Sequence, residues 1–282
     1  MDPANDTPRT VLVTGATDGI GRAAAAVLVA RGARVMVHGR AADRIERAAG
    51  ELRERGGDDR VAPPLRADFS RLDEVRSMAA ELAARGTGVD VLINNAGVFT
   101  NQPLTTADGF ERTWVVNHLA PFLLTHLVLA TQADRPPSRI VFVTSDAHAH
   151  GHVNPDDPGG ARLPFDRLLT YCGTKLANLL TALELSHRLA ARGVAVNALH
   201  PGTISTKLLT EGYGGRGPDS LDEAARALAR LALDDALEGV TGRYYDRGRE
   251  ARPAPVAVDR ALAARFYEAS AAAIGITPLP PA

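Results

Sequence analysis

Cysteine is nearly absent from this chain: Cys172 is the only one in 282 residues. That excludes an internal disulfide framework and a metal cage built from thiolates. Lysine is almost as scarce, since of 32 basic residues only Lys175 and Lys207 are lysine. An excess of one charge is missing too. The net charge is −1, so no electrostatic footprint points to nucleic acid or to an anionic membrane. No apolar run approaches the roughly 18 residues of a membrane span. The start, Met1 to Pro8, is short and polar and lacks the apolar stretch of a secretory signal. The expectation is a cytoplasmic protein with no membrane span and no nucleic-acid partner. What remains, 45% hydrophobic and 23% charged residues, is ordinary for a soluble globular protein with a sizeable core.

Against an arginine background, Lys175 reads as a position that needs a compact ammonium with three donors, where a planar fork does not fit. It follows Tyr171-Cys172-Gly173-Thr174, a stretch that reads as the start of a long helix running to about Arg192. One helical turn separates Tyr171 from Lys175, so both side chains point into the same space. A phenol, with a reference pKa of about 10, is a poor base at neutral pH. An ammonium about 4 Å away favours its ionised form by roughly 4 kcal/mol at an effective dielectric of about 20. That brings a tyrosine into the range of acid–base work. A tyrosine and a lysine four apart are also an ordinary surface pair, so the rest of the chain decides.

Thr10-Val11-Leu12-Val13-Thr14 is a continuous apolar run of the kind found in a strand buried on both faces. The turn Gly15-Ala16-Thr17-Asp18-Gly19-Ile20-Gly21 follows, and then a helical run from Arg22 to Arg31. A glycine-rich turn between strand and helix lets backbone approach a phosphate at the helix N-terminus. It lacks the Gly-Lys-Ser/Thr ending of a P-loop. A second strand, Arg34 to His38, ends at Gly39-Arg40. In dinucleotide folds an acid near this point grips the ribose of NAD, whereas an arginine favours the extra phosphate of NADP. Positions 38 to 40 hold no acid, which predicts NADP(H). An arginine-rich helix is expected over 42–55, its arginines forming a solvated face, and a strand over 61–66 leading to Asp68-Phe69. Ser70 is expected to cap a helix to about Arg85. A fourth strand, 89–93, ends in Asn94-Asn95-Ala96-Gly97, suited to sheet-end hydrogen bonds and to close passage of a cofactor.

An apolar helix is predicted from Glu111 to Ala130. Asn117 inside it is a poor mid-helix residue, because its side chain competes for backbone bonds. It marks either a distortion with a use or a satisfied core amide. A fifth strand, 139–144, ends at Ser145, and residues 146–165 form a loop. A sixth strand, 194–199, precedes His200-Pro201-Gly202-Thr203. Residues 203–218, with four glycines, suit a mobile flap, and 221–233 a helix. A last strand is expected at 242–245 and a last helix at 258–273. The alternation argues an α/β doubly wound parallel sheet in one domain, residues 9–275, with helices on both faces and loose tails at 1–8 and 276–282.

In this order the residues resemble the short-chain dehydrogenase/reductase family. The glycine turn fits Thr-Gly-x-x-x-Gly-x-Gly, residues 94–97 fit Asn-Asn-Ala-Gly, and Ser145 with Tyr171 and Lys175 fits the Ser and Tyr-x-x-x-Lys pattern. Asn117 fits the fourth catalytic position and Pro201-Gly202 the Pro-Gly after the sixth strand. Leu176-Ala177-Asn178, residues 197–202 and the Asp-Ala-His after Ser145 are most similar to the retinol dehydrogenase and WW-domain oxidoreductase-like branch. That branch reduces diverse carbonyls, so no retinoid is implied. The resemblance implies a single Rossmann domain with about seven strands. It also implies a homodimer or homotetramer packed through the long helices.

It further implies hydride transfer between NADPH and a small-molecule carbonyl, or the reverse from an alcohol. Ser145 donates a hydrogen bond to the substrate oxygen, Tyr171 exchanges the proton, Lys175 supports the tyrosine and holds the ribose, and Asn117 anchors a water. Cofactor contacts fall on Gly15, Thr17, Gly19, Ile20 and Gly21 at the phosphates and on Arg40 at the 2′-phosphate. Asp68 and Phe69 meet the adenine, Asn95, Ala96 and Gly97 line the cleft, and Pro201, Gly202 and Thr203 lie against the nicotinamide. His148, His150 and His152 read as a solvated or substrate-side loop, without a carboxylate to complete a metal site. Cys172 reads as a packed small residue. Reduction of a carbon–carbon double bond, dehydration on the same scaffold, and a non-catalytic NADP-binding sensor are the competing readings. A methyltransferase, which shares the glycine turn, lacks a use for Asn117, Ser145, Tyr171 and Lys175.

Overall fold

The computed structural model describes residues 7–162, 164–212, 214–215 and 217–281. Most of the expected N-terminal tail, residues 213 and 216 of the expected flap, and residue 282 lie outside the described residues.

Strands β1 (Thr10–Val13), β2 (Arg34–Gly39), β3 (Val61–Arg66), β4 (Val91–Asn94), β5 (Arg139–Val143), β6 (Ala195–His200) and β7 (Tyr244–Asp246) form a parallel sheet in the order β3-β2-β1-β4-β5-β6-β7. The central strands β1, β4, β5 and β6 are buried at every residue, which is why they read as predominantly apolar runs. Successive residues face opposite layers. Val11 and Val13 pack with α1 (Gly19–Ala30), α2 (Ala42–Gly56) and α8 (Leu221–Leu233). Leu12 packs with α3 (Leu72–Ala84), α5 (Ala120–Thr131), α6 (Arg167–Arg188) and α9 (Arg260–Ala273).

The sheet has eight strands where about seven were expected. The extra one, β8 (Arg249–Ala251), pairs antiparallel with β7. Arg247 (φ 48°) and Gly248 (φ 78°) make the turn between them, and two positive φ values in succession are the geometry of a tight hairpin. Ser70 does not cap α3. Arg71 stands at the N-cap without a side-chain bond, and the Ser70 hydroxyl instead donates to Asp68 Oδ1 at 2.8 Å.

The helix carrying Asn117 is interrupted as its asparagine suggested. A first turn, α4 (Arg112–Trp114), gives way to a π-helical turn over Val115–Leu119, in which the Ala120 amide bonds the Val115 carbonyl, before α5 begins. Such one-turn widenings accompany functional positions. The whole run Arg112–Thr131 is long and apolar enough to cross a membrane by length and composition, which departs from the expectation that no stretch approaches that. Here it is a core helix: its residues from Thr113 to His126 are all buried.

Within the chain, α9 packs against the long helices. Phe266 and Tyr267 are fully buried against them. His118 Nε2 bonds Ser270 Oγ at 2.9 Å and His126 Nε2 bonds Tyr267 Oη at 2.6 Å. Arg188, on α6, pairs with Glu184 at 2.7 Å and with Glu268 at 2.6 Å. The C-terminal segment expected as a loose tail is tied to this layer: the Leu279 amide donates to Tyr267 Oη at 3.2 Å, and the Leu279 carbonyl accepts from Arg188.

Candidate active site

Strand order reverses between β1 and β4, and open α/β sheets bind ligands outside the carboxyl ends of the strands at that point. A cleft of about 940 Å³ lies there. Its floor is built from the segments that leave β1, β4, β5 and β6: the glycine turn, residues 95–99, residues 144–147 and residues 200–204.

The glycine turn is held by side chains beneath it. The Thr14 hydroxyl accepts from the Asn95 and Ala96 amides at 2.9 and 3.0 Å. Asn95 Nδ2 donates to the Thr14 carbonyl at 2.8 Å. A Cβ at Gly15, which has φ 66°, would stand 2.9 Å from Ala96 Cα, and one at Gly21 would run into Asn95 Nδ2 and the Gly15 carbonyl. These glycines are therefore required by close backbone approach. The turn leaves the head of α1, at Gly19-Ile20-Gly21, facing the cleft, the arrangement that favours a phosphate.

Every cofactor residue expected from the sequence lines this cleft. Gly15, Thr17, Gly19, Ile20 and Gly21 form one end with Arg40, Asp68 and Phe69. Asn95, Ala96 and Gly97 cross the middle, and Pro201, Gly202 and Thr203 close the other side. The Asp68 carboxyl is held below its usual range: burial raises it, but the Ser70 amide and hydroxyl, with Arg40 and Arg112 nearby, more than offset that. A fit for a dinucleotide follows from this set. It offers a phosphate cradle that admits no side chain, with the Arg40 guanidinium and the Phe69 ring at the same end of the cleft.

Three contributors to this end were not picked out in the sequence. His38 is buried between the layers. Its Nδ1 accepts from the Gly15 amide at 3.2 Å, so the proton lies on Nε2, which donates to the Ala67 carbonyl at 3.2 Å. Its ring stacks on Phe69 with centroids 4.3 Å apart, and burial lowers its pKa to about 4. His38 thus ties the glycine turn to the end of β3 as a neutral strut. Arg44, exposed on the arginine face of α2, also lines the cleft. Lys207, on α7 (Lys207–Gly212), reaches across to Asp18 of the glycine turn at 3.3 Å, so the expected flap does contact the cofactor end. The available signal was that Lys207 is one of only two lysines.

The reactive end is carried by α6 and the β5 exit. Asp166 caps α6, accepting from the Leu168 and Leu169 amides at 2.9 and 2.8 Å. Tyr171 and Lys175 both line the cleft, and Lys175 Nζ lies 5.4 Å from the centre of the Tyr171 ring. The lysine is 3% exposed. Its Nζ donates to the Val143 carbonyl at 3.1 Å, and burial lowers its pKa to about 8. Asn117 stands just behind. Its Oδ1 accepts from the Val98 amide at 2.7 Å, while Nδ2 donates to the Val98 carbonyl at 2.9 Å and to the Thr174 hydroxyl at 3.1 Å. The gap at Gly97 is filled by these groups, since a Cβ there would be 3.4 Å from Asn117 Oδ1 and 3.6 Å from Lys175 Nζ.

Ser145 lines the same wall, its hydroxyl donating to Asp146 Oδ1 at 2.9 Å and accepting from the Ala147 amide at 3.2 Å. Of the three alternating histidines, His148 is structural: Nδ1 donates to the Ser145 carbonyl at 2.6 Å, and Nε2 accepts from the Ala254 amide at 3.0 Å. His150 lines the cleft. Cys172 is buried, and burial pushes its thiol up.

Comparison with known proteins agrees with this geometry. The short chain dehydrogenase family model matches residues 9–213. Mouse retinol dehydrogenase 13 is 38% identical over 95% of this chain and 84% of its own length. A proposed daunorubicin C-13 ketoreductase of Streptomyces is 38% identical over 95% of this chain and 93% of its own. Among solved structures, a proposed NAD(P)-dependent gluconate 5-dehydrogenase from Beutenbergia cavernae, with NADP bound at low occupancy, superposes with a TM-score of 0.68 at 27% identity. That match covers 87% of this chain and 97% of the other.

Proposed function

The chain belongs to the short-chain dehydrogenase family, and on that premise we propose that it is an NADP(H)-dependent oxidoreductase interconverting a ketone or aldehyde with its alcohol, with Tyr171 as acid and base. The observation that carries this reading is one cleft holding Ser145, Tyr171 and Lys175 at one end and the glycine turn, Arg40 and Asp68 at the other.

The nicotinamide cofactor supplies the hydride when bound. Everything else falls to the chain. Gly19, Ile20 and Gly21 present the head of α1 to the phosphates, and Arg40 with Arg44 presents cations to a 2′-phosphate. Tyr171 gives its proton to the substrate oxygen in reduction and takes it back in oxidation. Lys175, charged below its lowered pKa of about 8, favours the ionised phenol. Asn117 fixes Gly97 and Val98 beside that lysine, and Ser145 supplies a hydrogen bond to the substrate oxygen. The names of the relatives, a retinol dehydrogenase and a ketoreductase, support alcohol and carbonyl chemistry over double-bond reduction or dehydration. Any self-association uses a face other than the one α9 covers.

A panel of ketones and aldehydes offered with NADPH tests the activity, and formation of the alcohol is the expected result. No alcohol from any member contradicts it. The cofactor assignment has its own test. Arg40→Ala should weaken NADPH binding by about 10- to 100-fold, the range set by about 1.5–3 kcal/mol for a hydrogen bond to a charged group, and barely change NADH. Equal loss of both nucleotides would refute the phosphate role.

A further inference from the structure

A serine hydroxyl has one proton to donate, and Ser145 gives it to Asp146 at 2.9 Å, while its oxygen accepts from the Ala147 amide. In that arrangement Ser145 has nothing to offer a substrate oxygen. Asp146 adds a second difficulty, because a carboxylate beside the point where the oxygen gathers negative charge opposes that charge. Its side chain is 68% exposed and lines the cleft. Its other oxygen lies 3.8 Å from His200 Nε2, beyond hydrogen-bond reach. Asp146 therefore presents an accepting face to whatever occupies the cleft.

We propose that Asp146 makes the enzyme selective for carbonyl compounds that carry a hydroxyl on the adjacent carbon. This rests on the hydride-transfer reading above. The substrate hydroxyl takes over from Ser145 as donor to Asp146, and the proton of Ser145 turns to the carbonyl oxygen. After the exchange both donors and both acceptors are satisfied. A plain ketone brings no donor. Either Ser145 stays on Asp146 and the reacting oxygen goes without its hydrogen bond, or Asp146 loses the Ser145 proton beside a developing oxyanion. The rest of the substrate faces apolar side chains. Phe99 lies with its ring centroid 5.4 Å from that of Tyr171, and Leu168 and Leu169, 46% and 61% exposed, stand at the mouth. An aromatic or aliphatic body with one hydroxyl next to its carbonyl matches that pattern.

The test is a matched pair, acetophenone and 2-hydroxyacetophenone, or the same pair on whichever ketone scaffold the wild type reduces. Each is assayed with NADPH on wild type, Asp146→Ala and Asp146→Asn. The hydroxyl alters intrinsic reactivity, so the readout is the change between enzymes in the ratio of kcat/KM values, hydroxyketone over plain ketone. That ratio should fall at least tenfold in Asp146→Ala, mainly through a rise in kcat on the plain ketone. It should fall less in Asp146→Asn, whose amide oxygen still accepts. NADPH affinity, followed by fluorescence, should be the same in all three. An unchanged ratio with both ketones reduced overturns the selectivity proposal and leaves hydride transfer standing. Failure of all three proteins to reduce any carbonyl overturns both.

Discussion

Tyr171→Phe should lower turnover by about 10³-fold or more while leaving dinucleotide affinity within about twofold. The phenylalanine keeps the ring, its packing against Phe99 and its place on α6, and removes one hydroxyl. General acid–base catalysis by a placed side chain is worth about 10²–10⁴, and losing the sole proton donor to the substrate oxygen belongs at the upper end of that range. The cofactor end, built from β1, β2 and β4, is untouched by the change. Turnover preserved in Tyr171→Phe would remove the assigned acid. Loss of nucleotide binding in parallel would recast Tyr171 as a binding residue.

Lys175→Met should abolish most turnover and at the same time stabilise the fold near pH 7. Burial lowers the lysine pKa from 10.5 to about 8, and the Val143 carbonyl accepts from its ammonium at 3.1 Å. The sign follows from proton linkage. Between about pH 8 and 10.5 the unfolded chain holds a proton that the folded chain has released, so stability rises with pH across that window. Below pH 8 the folded protein carries the full burden of a buried ammonium, about 3 kcal/mol. Methionine removes that burden but strands the Val143 carbonyl, which costs about 1 kcal/mol. A net gain of about 2 kcal/mol corresponds to a melting temperature higher by several degrees at pH 7; above pH 10.5, where the burden is gone from the wild type, only the stranded carbonyl is left and the variant should be less stable by about 1 kcal/mol. Wild-type carbonyl reduction should also decline above about pH 8 as Lys175 loses its charge. A variant that is less stable at pH 7 would show that the ammonium is well solvated or paired, contrary to the burial described above.

These two residues were legible in the sequence because their spacing is a local, helical fact, and the scarcity of lysine sharpened it. The buried strands were legible for a similar reason: β1, β4, β5 and β6 are covered on both faces, so they are mostly apolar, and Asn197 inside β6 is tolerated because it bonds the Val240 carbonyl and the Arg243 amide. Asn117 announced the π turn because an amide in an apolar helix has to bond something, here the backbone of Val98. What failed to show depends on distant partners. β8 is a three-residue edge strand, Arg-Glu-Ala, whose hairpin is made by Arg247 at a position that usually takes asparagine or glycine. Ser70 has the chemistry of a cap, but Asp68, two residues away, claims its hydroxyl. His38 became a strut only because the Gly15 amide and the Ala67 carbonyl, 23 and 29 residues away, close on its two nitrogens. The packing of α9 on α6 was not legible either, since nothing in the pattern of α6 says which partner covers it.

The proposed chemistry is tested most directly with NADPH carrying deuterium at both C4 positions of the nicotinamide, incubated with the wild-type protein and a panel of ketones and aldehydes. Deuterium on the carbinol carbon of the product alcohol, and its loss in Tyr171→Phe, is the expected result. NADPH that binds but passes no label to any carbonyl carbon, or label found instead on a carbon β to an intact carbonyl, would contradict it.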